Sequence, residues 1–343
     1  MATTTSTSDM NTSSPRASIA ERGITGTITA LITPRYTIEL EPNFDFYQVL
    51  VRRQLDNMID GLVLFGTTGE ADFVSDRDKN RIMGETVRTV EIARQLDQRD
   101  ISLIVGISSP EVDKVLQKAE HASKYGINIG LLAPLSYVKP RQNGIINFYE
   151  EVASKLANEC PEFKLIVYNV PSRVGVNIEP ATLGRLADVK NIVAVKEASG
   201  NLIQMSDYVN VARTSSDRVG RPFTVLSGDD ATTYHACHLG AHGVISVVSN
   251  IAPMRMKRLV ECSRDGSFKK DQFMTYDLHK KLEPYFKASM VAGNPQSIIL
   301  MMQLMGYPIG SSHPLLGFPT SDDAKSIHNL LTGTIIPKEC YEK

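Results

Sequence analysis

The stretch "IVAVKEASG" (Ile192–Gly200) poses the question on which the fold turns. Its first four residues are apolar and mostly β-branched, and the fifth is Lys196. A run that is continuous rather than alternating is how a strand looks when other elements cover both its faces. A lysine at the end of such a strand is costly unless it is paired or sheds its proton. Lys196 is therefore either half of a structural ion pair, with adjacent Glu197 as partner, or present for its amine.

Seven more runs of the same kind lie around it. They are "GTITALIT" (Gly26–Thr33), "GLVLFG" (Gly61–Gly66), "ISLIVGI" (Ile101–Ile107) and "NIGLLAP" (Asn128–Pro134), then "KLIVYNV" (Lys164–Val170), "FTVLSG" (Phe223–Gly228) and "GVISVV" (Gly243–Val248). Helical spacing fills the gaps: Val112, Val115, Leu116 and Ala119 share a face, as do Met83, Val87 and Val90. Ser75 with Asp78 reads as a capping box, and Pro253 suits a first helical turn. Eight buried strands alternating with helices over about 230 residues imply parallel βα units closing into a (β/α)₈ TIM barrel. The rival, an open doubly wound sheet, calls for a G-x-G-x-x-G after the first strand, and "TPRYTIE" is not that. After about residue 250 the strand signal stops, and residues 253–335 read as helices broken at "AGNP" (Ala292–Pro295) and "YPIGSSHP" (Tyr307–Pro314). The expected organisation is a tail over 1–22, a catalytic barrel over 23–252 and a C-terminal helical domain over 253–343.

The 343 residues carry a net charge of −1, so no basic face is implied and nucleic acid is not an expected partner. No apolar run is long enough to cross a bilayer. Four cysteines (Cys160, Cys237, Cys262, Cys340) are scattered without a C-x-x-C, which fits free thiols in a reducing compartment, here the cytoplasm. The first 22 residues are Ser/Thr-rich and lack the apolar core of a secretory signal. A plain disordered tail is expected there, with an organelle transit peptide as the alternative.

In a barrel of this kind the working residues stand at the C-terminal strand ends. Polar groups collect there: "GTTGE" (Gly66–Glu70), "YNVPSR" (Tyr168–Arg173), Lys196–Glu197 and "SGDD" (Ser227–Asp230). A desolvated lysine gives up its proton more readily, and the neutral amine attacks carbonyl carbon to form a Schiff base. Tyr168, at a neighbouring strand end, either passes protons or is a core aromatic with a satisfied hydroxyl. "GTTGE" is either a backbone nest for a carboxylate or a tight βα turn; no G-K-[ST] makes it a phosphate loop. Arg173 either clamps a substrate carboxylate or sits on the surface. "HACHLGAH" (His235–His242) invites a zinc reading, which the residues oppose. The His238–His242 spacing needs a helix, yet Leu239–Gly240 reads as a helix end.

"GTTGE", "YNVPSR", "VKEASGN", "LSGDD" and "GAHGVISV" occur here in that order. Together they closely resemble the dihydrodipicolinate synthase family, within the N-acetylneuraminate lyase superfamily of class I aldolases, over roughly Gly23–Pro319. The resemblance implies a barrel with a C-terminal helical domain, a homotetramer or homodimer, and condensation of pyruvate with L-aspartate-4-semialdehyde in lysine and diaminopimelate synthesis. It implies that Lys196 forms the imine, that Tyr168 shuttles protons, and that Thr67 relays them. It further implies that Thr68 and its turn hold the pyruvate carboxylate, that Arg173 helps bind the semialdehyde, and that Gly228 and Ile245 line the pocket with backbone. No metal or organic cofactor is required, since the lysine is the electron sink. A paired-tyrosine run of the "PYYxxP" kind appears here as "APLSYVKP" (Ala133–Pro140), so Tyr137 matches the second tyrosine, which in the family reaches a neighbouring subunit's site, and Ser136 replaces the first. Ring-bearing positions of the family's lysine-feedback site appear as Asp76 and Lys79, which implies weak or absent inhibition by lysine. The competing functions are an aldolase cleaving a 2-keto-3-deoxy acid and a non-catalytic relative. Activity with semialdehyde against keto acids separates the first, and the intact Lys196, Tyr168 and Thr67 set argues against the second.

Overall fold

The computed structural model describes residues 22–36, 40–264 and 272–333. Apart from Arg22, the expected N-terminal tail lies outside the described residues, as does Cys340. Eight parallel strands follow one another round a closed barrel: β1 (Gly26–Ala30), β2 (Gly61–Leu64), β3 (Ser102–Gly106), β4 (Ile129–Leu132), β5 (Lys164–Asn169), β6 (Ile192–Glu197), β7 (Thr224–Ser227) and β8 (Gly243–Ser246). β8 pairs back onto β1. The outer ring is α1 (Phe44–Asp56), α2 (Asp76–Asp97), α3 (Val112–Ser123), α4 (Gln142–Glu159), α5 (Pro180–Ala187), α6 (Leu202–Val219), α7 (Thr233–His238) and α8 (Pro253–Arg264). All eight strands lie inside the apolar runs that defined them in the sequence.

Two apolar layers hold the ring together. Inside it, Ile28, Val63, Ile104, Ile166, Leu226 and Ile245 fill the barrel. Between strands and helices a larger core forms from the outward side chains and the apolar helix faces, with Tyr47, Tyr149, Tyr208 and Phe163 fully enclosed. Covering both faces is why the strands read as unbroken apolar runs. α2 starts as expected at Ser75, whose Oγ accepts the Asp78 N–H. Only that half of the box forms, because the Asp78 carboxylate takes the Ser75 hydroxyl instead at 2.7 Å.

α8 packs on β1 and β8, and Lys257 on it reaches Asp60 at 2.7 Å. It is the eighth helix of the ring, so a boundary after Ala252 separates strands from helices rather than ring from appendage. Beyond it come α9 (Gln272–Ala288), α10 (Gln296–Leu304) and α11 (Ser321–Leu331), which pack on one another. α11 opens with a full capping box, Thr320 with Asp323. No described helix is long and apolar enough to cross a membrane.

One irregularity sets the direction in which the end of β6 points. In the β5–β6 ladder Leu165 pairs with Ile192, but Ile166 pairs with Ala194, so Val193 is an extra residue. Side chains alternate strictly along a strand, and one inserted residue resets the alternation. Val193 and Ala194 both join the interior layer, Val195 turns outward, and Lys196 falls level with Tyr168.

Candidate active site

Lys196 ends β6 on the inside of the barrel and is 5% exposed. Its Nζ lies 4.5 Å from the centre of the Tyr168 ring, and among the described residues no carboxylate lies within ion-pair distance of it. Adjacent Glu197 faces the opposite way, into the helices, because neighbours on a strand point to opposite sides. There its carboxylate accepts from Asn169 Nδ2 at 2.7 Å, Gln204 Nε2 at 3.2 Å and the Ser199 N–H at 2.8 Å. Glu197 therefore locks the ends of β5 and β6 to α6 and does not pair with Lys196. Gly228 leaves the space the lysine needs: a Cβ there would come within 2.9 Å of Lys196 Cε and 2.6 Å of Ala198 Cβ.

The "GTTGE" turn comes directly after β2. Gly69 and Glu70 close it with N–H bonds to Gly66 and Thr67 oxygens, both at 3.1 Å. Among the described residues the N–H groups of Thr67 and Thr68 donate to no protein acceptor. Two unspent donors beside a buried Thr68 hydroxyl make a nest suited to a carboxylate. The turn is pinned from below. Thr33 Oγ1 donates to the Gly69 oxygen at 2.8 Å. Arg35 Nε meets Glu70 Oε2 at 3.1 Å, and the two side chains are 2% and 1% exposed. The rest of the Arg35 fork donates to the Leu40 and Phe73 oxygens, and Glu70 Oε1 accepts the His313 N–H at 2.7 Å. Glu70 is thus fully engaged as an anchor.

Lys196, Tyr168, Thr67, Thr68, Arg173 and Gly228 all line one cavity of about 160 Å³ at the C-terminal mouth of the barrel. An outer chamber of about 450 Å³ shares Thr67, Tyr168 and Arg173 with it. Among the described residues neither the Thr67 nor the Tyr168 hydroxyl has a hydrogen-bond partner, so both remain available to a substrate. Arg173 sits on a helical turn, Pro171–Val174, and its Nη2 donates to the Asn294 oxygen at 2.9 Å. Two residues stand apart. Tyr137 is 94% exposed on the β4–α4 loop, and Ile245 is 1% exposed in the barrel interior; neither lines this cavity, whereas Val247 does.

The cavity also holds groups to which the sequence reading gave no role. Phe286 of α9, with Ser289, Met290 and Asn294 beyond its end, forms part of its wall. Asp230, the last residue of "SGDD", lines it as well and accepts the Val247 and Val248 N–H groups at 2.9 Å each. Burial pushes its carboxyl up, and the Ser246 hydroxyl and those two N–H groups pull the other way. The histidine-rich run contributes nothing here. α7 ends at His238, whose Nδ1 contacts the Tyr234 oxygen at 2.8 Å. His242 Nδ1 accepts the Val225 N–H at 3.1 Å, and His235 packs on the rings of Tyr234 and His279.

A model of the dihydrodipicolinate synthetase family matches residues 23–332. The 4-hydroxy-tetrahydrodipicolinate synthase of Thermotoga neapolitana is 36% identical over 283 residues, which is 82% of this chain and 89% of that protein. The enzyme of the same name from Protochlamydia amoebophila is 35% identical over 286 residues, covering 83% of this chain and 88% of that one. Among solved structures, dihydrodipicolinate synthase from Thermotoga maritima superposes with a TM-score of 0.79 at 30% identity, covering 90% of this chain and 98% of that chain. A monomeric variant of dihydrodipicolinate synthase superposes at 0.80 with 31% identity, covering 90% and 96%.

Proposed function

The chain belongs to the dihydrodipicolinate synthetase family, and from that membership we propose that it condenses pyruvate with L-aspartate-4-semialdehyde to 4-hydroxy-tetrahydrodipicolinate through an imine on Lys196. One observation carries the reading. Among the described residues, a buried lysine without a carboxylate partner opens into the same cavity as two unspent backbone N–H groups and two unpartnered hydroxyls.

The chemistry is that of those groups. The pyruvate carboxylate settles on the Thr67–Thr68 nest, which brings its keto carbon toward Lys196. The neutral amine attacks that carbon, and proton transfer through Tyr168 and Thr67 lets one water leave, giving the imine. Loss of a methyl proton gives the enamine, whose carbon bonds to the semialdehyde carbonyl carbon while the new alkoxide takes up a proton. The substrate amine then attacks the imine carbon, closes the ring and expels the Lys196 amine. Arg173, at the mouth, presents its planar fork to the carboxylate of the incoming semialdehyde.

Replacing Tyr168 with phenylalanine keeps the ring beside Lys196 and removes the proton carrier. We expect kcat to fall by about 10²–10³-fold with little change in KM for pyruvate. A coupled steady-state assay reads this, and a kcat within a factor of about three of the parent removes Tyr168 from the relay.

The working form is a homodimer or homotetramer in which Tyr137 completes a neighbouring copy's site. Its 94% exposure and positive φ of 70° support this, since they hold the ring away from its own barrel. Feedback by lysine is weak or absent. Lys79 forms an ion pair with Asp76 at 3.6 Å, and a cation stands where a ring would have packed on the inhibitor. Rates measured against rising L-lysine stay level, and an inhibition constant as strong as that of regulated relatives overturns this.

Borohydride reduction in the presence of pyruvate, followed by peptide mass mapping, tests the central reading. A pyruvate-derived adduct on Lys196 is expected, and its absence sinks the imine mechanism. Turnover with the semialdehyde against a panel of 2-keto-3-deoxy acids then fixes the aldehyde partner.

A further inference from the structure

The wall of the cavity is completed from far along the chain. Asn294 lies between α9 and α10, yet it lines both the inner cavity and the outer chamber. Its Nδ2 donates to Thr68 Oγ1 at 3.0 Å across 226 positions of sequence. Its main-chain oxygen accepts from Arg173 Nη2 at 2.9 Å across 121. The loop holding it is tied down on the far side: the Ser297 N–H donates to the Gly293 oxygen at 2.8 Å, and the Ala292 N–H to Ser297 Oγ at 2.7 Å.

We infer that Asn294 is a positioning residue for the substrate carboxylate, acting through the Thr68 hydroxyl. A threonine hydroxyl has one hydrogen to give and two lone pairs. Left alone, it spends that hydrogen on whichever acceptor is nearest. The Asn294 amide occupies a lone pair of Thr68 Oγ1 and leaves its hydrogen directed toward the cavity. Thr68 is 3% exposed, so bulk water does not compete for it freely. The hydroxyl then joins the two backbone N–H groups as a third donor, set before the substrate arrives. The main-chain contact holds Arg173 over the same loop, so one residue spans the carboxylate nest and the entrance. A carboxamide carries no titratable proton, so its contribution falls on binding and not on the proton transfers.

The inference rests on the reading that the Thr67–Thr68 nest takes the pyruvate carboxylate, and its test separates the two. Asn294→Ala and the isosteric Asn294→Asp are compared with the parent protein by borohydride trapping over a range of concentrations. The ketones are pyruvate and methyl pyruvate, which has no carboxylate. Asn294→Ala is expected to raise the pyruvate concentration for half-trapping and the KM by about tenfold, with kcat within about threefold. Asn294→Asp, which sets a second anion beside the nest, loses more. Methyl pyruvate is trapped equally by all three proteins. Should Asn294→Ala fail to fold, Asn294→Asp carries the comparison alone. Equal losses with both ketones assign Asn294 a merely structural part and overturn the inference, as does an unchanged pyruvate dependence. No preference for pyruvate over its ester in the parent protein overturns the nest reading itself, and the inference falls with it.

Discussion

Replacing Lys196 with arginine is expected to cut turnover by at least about 10⁴-fold and to abolish the borohydride-trapped adduct. Arginine preserves the charge and the reach but not the nucleophile. Its guanidinium stays protonated at any pH the protein survives, so no lone pair is free to attack a keto carbon. The position is also crowded, since even a methyl group at Gly228 would lie 2.9 Å from Lys196 Cε. Lys196→Met separates chemistry from fit. Methionine is unbranched and of similar length, and it removes a buried amine that has no carboxylate partner among the described residues. The same loss of activity should then come with unchanged or higher thermal stability, as happens when a site residue that serves function at the expense of stability is removed. Turnover within about tenfold of the parent in either variant, read by the coupled assay, would end the imine mechanism.

The largest effect on stability is expected at Arg35. Replacing it with methionine leaves the Glu70 carboxylate 1% exposed without its cation. Breaking a buried pair from one side costs about 3–5 kcal/mol, because the surviving charge stays out of water. Removing both charges, as Arg35→Met with Glu70→Gln, should recover most of that, since a neutral pair carries little desolvation cost. Urea unfolding of the parent, both single variants and the double variant measures the coupling. A single Arg35→Met variant within about 1 kcal/mol of the parent would show that the pair contributes no such coupling. Activity should track stability here, because Glu70 ends the turn that carries Thr67 and Thr68.

The barrel was legible because each strand is covered on both faces, so the apolar runs are unbroken and easily counted. Lys196, Tyr168 and Thr68 were legible for the complementary reason, as polar groups interrupting such runs where a barrel keeps its chemistry. The features that were not legible depend on contacts between distant parts of the chain. "AGNP" has the composition of any break between helices, and nothing local shows that Asn294 meets Thr68. Arg35 in "TPRYTIE" likewise gives no sign of a partner on the next strand's turn. The Ser75 cap was visible while the direction of the Asp78 carboxylate was not, since both arrangements satisfy the same spacing.

The unpaired Val193 has a consequence for how such chains diverge. Were the same residues paired without the bulge, Val193 opposite Ile166, the inner wall would pass to Val195 and the amine would turn out among the helices, with every residue type near the mouth retained. An added residue there that is not itself bulged out has the same effect without touching any signature string, whereas loss of the extra one leaves Lys196 level with Tyr168. The pairing of that ladder, and not the bare count of residues before the lysine, therefore tells a working copy from an inert duplicate that still carries the same words.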